Sequence, residues 1–293
     1  MNMRKYPDVS VVVATLNNAE TLRKTLKGLE KVDYPGRCEI IVVNDGSTDR
    51  TKEMLDREFS RHKKIRVIHI PRSGVCVARN IGIENSRGSI VVNMDHDCIP
   101  ERDWLVRLVE GFSNGRVGVV SSYGYYGGTS TAFRKDLLDK VGGYDKEYYY
   151  YREDTDLSFK IMDLGYEFRL VNAGYYHSHE LTKPKGLAGA IRYALQRWRF
   201  HMNDVLLYKK HPSLAGDFLN VRMGFMVNPL SDFKAATGLW KGEYALSSPR
   251  GITFLENKSP LHGAIIFLTG FLYVLGVKLF RLRGSLKFGK LLV

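Results

Sequence analysis

Cysteine is scarce in this chain. Three residues (Cys38, Cys76 and Cys98), odd in number and far apart, give neither a disulfide framework nor a zinc-ligand spacing. That fits a reducing compartment. No Gly-x-Gly-x-x-Gly follows the first apolar run, which weakens a dinucleotide site, and no Gly-x-x-x-x-Gly-Lys-Ser/Thr occurs, which excludes a P-loop. Residues 1–8 are polar and lack the apolar core of a signal peptide. Long hydrophobic runs are missing too. The uncharged stretch 263–277 has fifteen residues, where a spanning helix wants about 20.

What is present describes an ordinary globular protein, 44% hydrophobic and 26% charged over 293 residues, either one large domain or a domain with an appendage. Its charge is uneven. Residues 1–180 carry 27 Lys/Arg against 26 Asp/Glu, and residues 181–293 carry 17 against 5, so +12 of the net +13 sits in the last part. Nucleic acid and an anionic membrane surface are the natural partners of such a region.

The front half alternates. Apolar, β-branched runs at 9–14, 38–43, 65–70 and 90–94 are separated by helical patterns at 19–29, 50–59 and 75–85, a spacing that predicts a right-handed βαβ series with a parallel sheet. Further on, a helix is expected over 100–112, a strand over 117–123, a helix over 134–141, and a helix after Asp156 with Leu157, Ile161 and Leu164 on one face. Residues 168–171 read as the last strand, and 187–207 as a basic helix.

In such a sheet, ligands bind beyond the carboxyl ends of the strands. Polar clusters emerge there after the first, second and fourth runs. Thr15 and Asp45 could hydrogen-bond a base or ribose, and Arg79 a base edge or phosphate. The fourth run delivers Asp95-His96-Asp97, two hard oxygen ligands at i and i+2 that suit a Mg²⁺ or Mn²⁺ ion bridging a diphosphate. Turn and helix-cap chemistry is the plain alternative for Thr15, Asp45 and the two aspartates, and a surface or ion-paired role is the alternative for Arg79. Downstream, Glu153 and Asp154 follow an aromatic loop that includes Tyr151, and a carboxylate beside an aromatic-walled pocket suits a general base. Tyr176-His177-Ser178-His179 could complete a metal site.

Taken in order, these segments resemble family 2 glycosyltransferases over residues 9–201. Val9 to Asn17 resembles the opening strand and its Thr-x-Asn turn. Asn44-Asp45-Gly46-Ser47-Thr48-Asp49 resembles the Asp-Asp-Gly-Ser-Thr-Asp signature with Asn44 in the first place, and Ala78-Arg79-Asn80-Ile81-Gly82 matches a family helix. Asp95-His96-Asp97 matches the family's metal-binding Asp-x-Asp, and Val141-Gly142-Gly143-Tyr144-Asp145 with Glu153-Asp154-x-Asp156-Leu157 matches the acceptor-side block.

The resemblance implies an α/β, GT-A fold: a Rossmann-like, mostly parallel central sheet flanked by helices, here with a C-terminal helical, membrane-associating extension. It implies a catalytic domain over 1–210 and an extension over 211–293. It further implies inverting sugar transfer from a nucleotide-diphospho-sugar, with UDP or GDP as the nucleotide, and with Mn²⁺ or Mg²⁺ as cofactor. Asp154 would be the catalytic base. Thr15, Asn17, Asp45, Arg79, Asp95 and Asp97 would face the donor, and Asp97 with His177 (His179 as the alternative) would hold the metal. Glu153, Tyr151, Gly128 and Trp198 would lie on the acceptor side. Weaker rivals are a catalytically silent membrane scaffold of the same fold and a nucleotidyltransferase.

The basic tail completes the expectation. Residues 263–277, followed by Lys278, Arg281, Arg283, Lys287 and Lys290, suggest an in-plane or re-entrant helix on the cytoplasmic face, drawn to anionic lipid. That placement suits a polyprenyl-linked or other glycan acceptor. Nucleic acid is not expected as a partner, because no nucleic-acid motif accompanies the basic residues.

Overall fold

The computed structural model describes residues 6–178, 185–237 and 260–293. They form two compact units. The first runs through Tyr149 and resumes at Glu153; the second takes Tyr150–Arg152 and the described residues from 185 onward. The division therefore falls earlier than the boundary expected near residue 210, because the helices after residue 185 pack with the C-terminal helix.

In the first unit the predicted alternation is present: β1 (Val9–Thr15), α1 (Ala19–Leu29), β2 (Cys38–Asp45), α2 (Thr51–Glu58), β3 (Ile65–Ile70), α3 (Val75–Glu84) and β4 (Ile90–Asn93). Then come β5 (Cys98–Pro100), α4 (Trp104–Glu110), β6 (Val117–Ser121), β7 (Thr131–Arg134), α5 (Lys135–Val141), α6 (Glu153–Met162), β8 (Glu167–Leu170) and β9 (Tyr175–His177). Seven strands join in the order β3-β2-β1-β4-β7-β6-β8. The pairs β1–β2, β2–β3, β1–β4 and β6–β8 are parallel, while β7 runs antiparallel to both neighbours.

Side chains of β1 alternate between two apolar layers, which is why its run is apolar on both faces. Val11 and Val13 pack with Leu22, Leu26, Leu55, Trp104 and Leu108, whereas Val12 packs with Ile83, Phe133, Leu137 and Leu157. Each such buried side chain contributes about 1.5–3 kcal/mol. The close fit of α3 on β1 requires Gly82, since a Cβ there would stand 2.3 Å from Val12 Cγ1.

Three expectations change. Pro100 ends a strand rather than opening the helix expected over 100–112, which starts at Trp104, because Cys98, Ile99 and Pro100 pair with His177, Tyr176 and Tyr175 in a two-stranded ribbon; Pro100 is tolerated at such an edge. β7 was not foreseen, since the glycine- and tyrosine-rich residues before it read as loop. Leu164 is 39% exposed rather than part of the α6 core face, because that helix ends at Met162.

The second unit contains α7 (Gly186–Phe200), α8 (Met202–Lys210), α9 (Pro212–Phe218), the hairpin strands β10 (Val221–Arg222) and β11 (Met226–Val227), α10 (Pro229–Thr237) and α11 (Pro260–Phe288). The basic helix expected over 187–207 is thus two helices, α7 and α8, meeting at His201. A buried ion network ties the unit together. Asp204 is fully buried and meets Arg281, which forks onto Asp232 at 2.6 and 3.0 Å. Among the described residues, no helix is long and apolar enough to cross a membrane.

Candidate functional site

The carboxyl ends of β1, β2 and β4 bring the predicted polar clusters to one edge of the sheet. Asp45, the last residue of β2, is 2% exposed, and both of its carboxylate oxygens accept hydrogen bonds. It accepts from Arg72 Nη1 at 2.7 Å, from the Ser73 amide at 2.6 Å and from the Gly74 amide at 3.0 Å. Asn44 supports the turn, its Oδ1 accepting from the Ser47 amide at 3.2 Å while its Nδ2 meets His69 Nδ1 at 3.0 Å. Asn17 braces the same loop from β1: at φ +53°, its Oδ1 accepts from the Thr48 amide at 2.7 Å. Thr15 is different. It is buried, and its hydroxyl has no hydrogen-bond partner. Such a group calls for explanation, and a ligand that satisfies it is one.

Arg79 lies at the centre. From α3, its guanidinium is nearly buried and reaches three carboxylates: Asp95 Oδ1 at 3.1 Å, Glu153 Oε1 at 3.2 Å and Asp154 Oδ1 at 3.2 Å. The guanidinium carbon also lies 5.2 Å from the centre of the Tyr144 ring. The Tyr144 hydroxyl donates to Asp154 Oδ1 at 3.1 Å. Asn80 fixes that tyrosine, exchanging hydrogen bonds with its backbone at 2.7 and 2.8 Å. The helix motif Ala78-Arg79-Asn80-Ile81-Gly82 is thereby accounted for: Arg79 gathers the acids, Asn80 holds Tyr144, and Gly82 lets the helix touch the sheet.

Electrostatics follow from this packing. Burial pushes the Asp154 carboxyl up to about 7, helped by the nearby charges of Glu153 and Asp95 and opposed by Arg79 and the Tyr144 hydrogen bond. Burial, and then the Asp154 charge, push the Tyr144 phenol well up, so it stays protonated and donates. Asp154 opens onto solvent with 19% of its side chain exposed. Gly127, at φ +113°, passes so close behind it that a Cβ would stand 2.9 Å from Asp154 Cβ.

The second carboxylate of Asp95-His96-Asp97 points elsewhere. The β5–β9 ribbon places His177 opposite Cys98, and His177 Nε2 lies 3.1 Å from Asp97 Oδ1. The hydrogen bond to Asp97 holds the His177 imidazolium up, outweighing burial, which lowers it. Asp97, Cys98 and His177 are close enough to share an ion. One carboxylate oxygen and one imidazole nitrogen suit Mn²⁺, and neighbouring positions of an octahedral ion with bonds of about 2.1 Å lie roughly 3 Å apart. Burial pushes the Cys98 thiol up, away from the thiolate a metal would need. The residues therefore fit a divalent ion held by Asp97 and His177. His179 lies outside the described residues.

The residues expected on the acceptor side are divided between the two units. Glu153 and Gly128 belong to the first unit, and Tyr151 and Trp198 to the second. Glu153 is 4% exposed and paired with Arg79, with Oε2 lacking a hydrogen bond. Gly128, at φ +121°, backs onto the Tyr123 ring. Trp198 packs against Tyr273 and Phe280 of α11, with ring centres 6.2 and 6.4 Å away.

Sequence reasoning quoted Tyr144 within the acceptor-side block without giving it a role, and missed Arg72 and Thr129, whose hydroxyl accepts from the Asp95 amide at 2.9 Å. Pro71-Arg72-Ser73-Gly74, between a strand and a helix at the ligand edge, was the signal available for Arg72.

These positions can be set against known proteins. The chain is 29% identical to a probable glycosyltransferase of Bacillus subtilis (strain 168), YdaM, over 59% of its own length and 50% of the relative's. It is 32% identical to a beta-monoglucosyldiacylglycerol synthase of Synechocystis over 39% of its length and 25% of that protein's. The chain thus spans half or less of the length of these relatives. Its fold matches that of the mannosyltransferase PcManGT from Pyrobaculum calidifontis, solved with GDP-Man and Mn²⁺, at a TM-score of 0.61 and 20% identity, covering 95% of this chain and 88% of that one. The model of glycosyl transferase family 2 matches residues 10–180, from the second residue of β1 past His177. By that match the chain belongs to glycosyl transferase family 2.

Proposed function

We propose that the protein is a metal-dependent, inverting glycosyltransferase that moves a sugar from a UDP- or GDP-sugar to a hydroxyl of a lipid-linked or cell-surface glycan precursor. The observation that carries this reading is the Asp154 carboxylate: raised by burial, reachable from solvent, and held by Arg79 and Tyr144. As a general base it takes the proton of the acceptor hydroxyl as that oxygen attacks the anomeric carbon from the side opposite the leaving diphosphate. Arg79 and Tyr144 fix its position, and burial, helped by the Glu153 and Asp95 charges, raises its proton affinity toward neutrality. Thr15, Asp45 and Asp95 receive the nucleoside, with Arg72 on the Asp45 carboxylate. Asp97 and His177 would hold a divalent ion, which would supply charge neutralisation at the diphosphate.

A lipid-linked acceptor draws support from the second unit. The outer face of α11 exposes Leu268, Phe271, Leu272, Leu275, Leu279 and Leu282 at helical spacing. Asp204 and Asp232 are consumed internally, while Arg283 and Lys287 are exposed beside the apolar face. An apolar stripe edged by cations suits an anionic membrane surface on the cytoplasmic face. The likeness to a glycolipid synthase points the same way.

Calorimetric titration with UDP and GDP, each with and without Mn²⁺, on wild type and Asp97→Ala tests the donor side. Metal-dependent binding of one nucleotide, lost in the variant, is expected. A folded protein that binds neither overturns the reading and leaves a silent scaffold.

A further inference from the structure

Asn44 and His69 stand opposite each other where β2 pairs with β3, one position before Asp45. Their side chains meet, Asn44 Nδ2 with His69 Nδ1 at 3.0 Å, and His69 Nε2 reaches Asp56 Oδ1 of α2 at 2.9 Å. Lys52 Nζ donates to the other Asp56 oxygen at 2.6 Å. On its far side Asn44 turns Oδ1 to Ser47, accepting from the amide at 3.2 Å and also from the hydroxyl. Ser47 Oγ in turn accepts from the Asn17 amide at 2.9 Å, and Asn17 Oδ1 accepts from the amides of Thr48 and Asp49 at 2.7 and 3.3 Å. The bonds thus run from α2 through β3 and β2 to the turn after β1, all within the first unit.

Only one placement of protons fits this relay. A backbone amide can only donate, so the Asn44 atom facing Ser47 is the oxygen and the one facing His69 is the NH₂ group. His69 Nδ1 must then accept, which puts the ring proton on Nε2, where the Asp56 carboxylate receives it. Turning the amide, or moving the ring proton, sets two donors face to face. An amide needs such fixing because its two ends differ. The carboxylate that opens the signature resembled by this stretch presents oxygen whichever way it turns. Packing does not account for the imidazole: β3 is the edge of the sheet, joined to β2 by its backbone ladder, and 28% of the His69 side chain is exposed.

We propose that His69 is a positioning residue for the nucleoside edge: as the Nε2-protonated imidazole steered by Asp56, it orients the Asn44 amide and so holds the Ser47–Asp49 turn and the Asn17 backbone beside Thr15 and Asp45. It acts through Asn44, not on the donor. The inference deepens the donor reading and rests on the nucleoside binding at that edge.

The test uses the full chain as wild type, His69→Phe, Asn44→Asp and the double variant. Imidazole ¹⁵N signals at about pH 8, where an ordinary histidine is neutral, report the tautomer. Hydrogen exchange follows the amides of residues 47–49, and titration with UDP and GDP in the presence of Mn²⁺ gives nucleotide affinity. Wild-type His69 should carry its proton on Nε2. In His69→Phe the 47–49 amides should exchange about tenfold faster, and nucleotide affinity should fall about fivefold, the scale of one lost hydrogen bond. In the Asn44→Asp background the same ring change should alter either quantity by less than about twofold, a coupling that packing alone does not give. A ring proton on Nδ1, unchanged exchange at 47–49, or equal losses in the two backgrounds overturns the proposal. Exchange that changes as expected while nucleotide affinity does not overturns the link to the nucleoside edge. If wild type binds neither nucleotide, the donor reading falls, and exchange in the four proteins still decides the orienting role. Should His69→Phe fail to fold, Asp56→Ala takes its place: the two tautomers should mix, and the 47–49 amides should exchange about threefold faster.

Discussion

Arg79 Nη1 lies 3.2 Å from Asp154 Oδ1, the oxygen to which the Tyr144 hydroxyl also donates. One oxygen is thus held by two donors, and an amide oxygen could take its place in both bonds. Asp154→Asn should therefore keep the local structure and the nucleotide site while losing the proton acceptor. Turnover should drop about 10²–10⁴-fold, with donor affinity within about twofold of wild type. Near-native turnover in this variant would sink the base assignment.

The same carboxylate sets a pH dependence. With its carboxyl raised to about 7, Asp154 is a competent base only when ionised, so turnover should fall about tenfold per pH unit below that midpoint and level off above it. Tyr144→Phe removes a hydrogen bond that favours the ionised form, so the midpoint should move to higher pH. A rate–pH profile that is flat between about pH 5 and about pH 8 would show that another group takes the proton.

Gly82 carries a stability prediction. A Cβ at this position meets Val12 at 2.3 Å, and both residues sit in packed layers with little room to yield. Gly82→Ala should cost about 1–3 kcal/mol, read as a lowered Tm in thermal melts followed by circular dichroism. Val12→Ala combined with it should recover part of the loss, since the two sites share one contact. Additive losses in the double variant would argue against that contact.

The leucine face of α11 predicts lipid binding with two components. Sedimentation with anionic vesicles should be strong at low salt and weaker at about 0.15 M, where screening acts within about 8 Å. Replacing Leu275, Leu279 and Leu282 together with Asn should reduce binding about tenfold at either salt, because apolar burial is not screened. Equal binding by wild type and the triple variant would mean that this face lies elsewhere.

By itself the sequence determined the strand and helix order through β4, the parallel half of the sheet, and the edge at which Thr15, Asp45, Asp95 and Asp97 gather. Those features follow from local periodicity and turn chemistry, which nearby residues specify. Tertiary structure decided which partners these groups meet. The antiparallel insertion of β7 and the β5–β9 ribbon depend on pairings far apart in the chain, and the ribbon is what sets His177 beside Asp97. The sequence singles out Arg79 for a base edge or phosphate, but only folding brings Asp95, 16 residues away, and Asp154, 75 away, to its guanidinium. The raised carboxyl of Asp154 belongs to the same class, because burial and neighbouring charge are properties of a packed environment that no run of residues encodes locally.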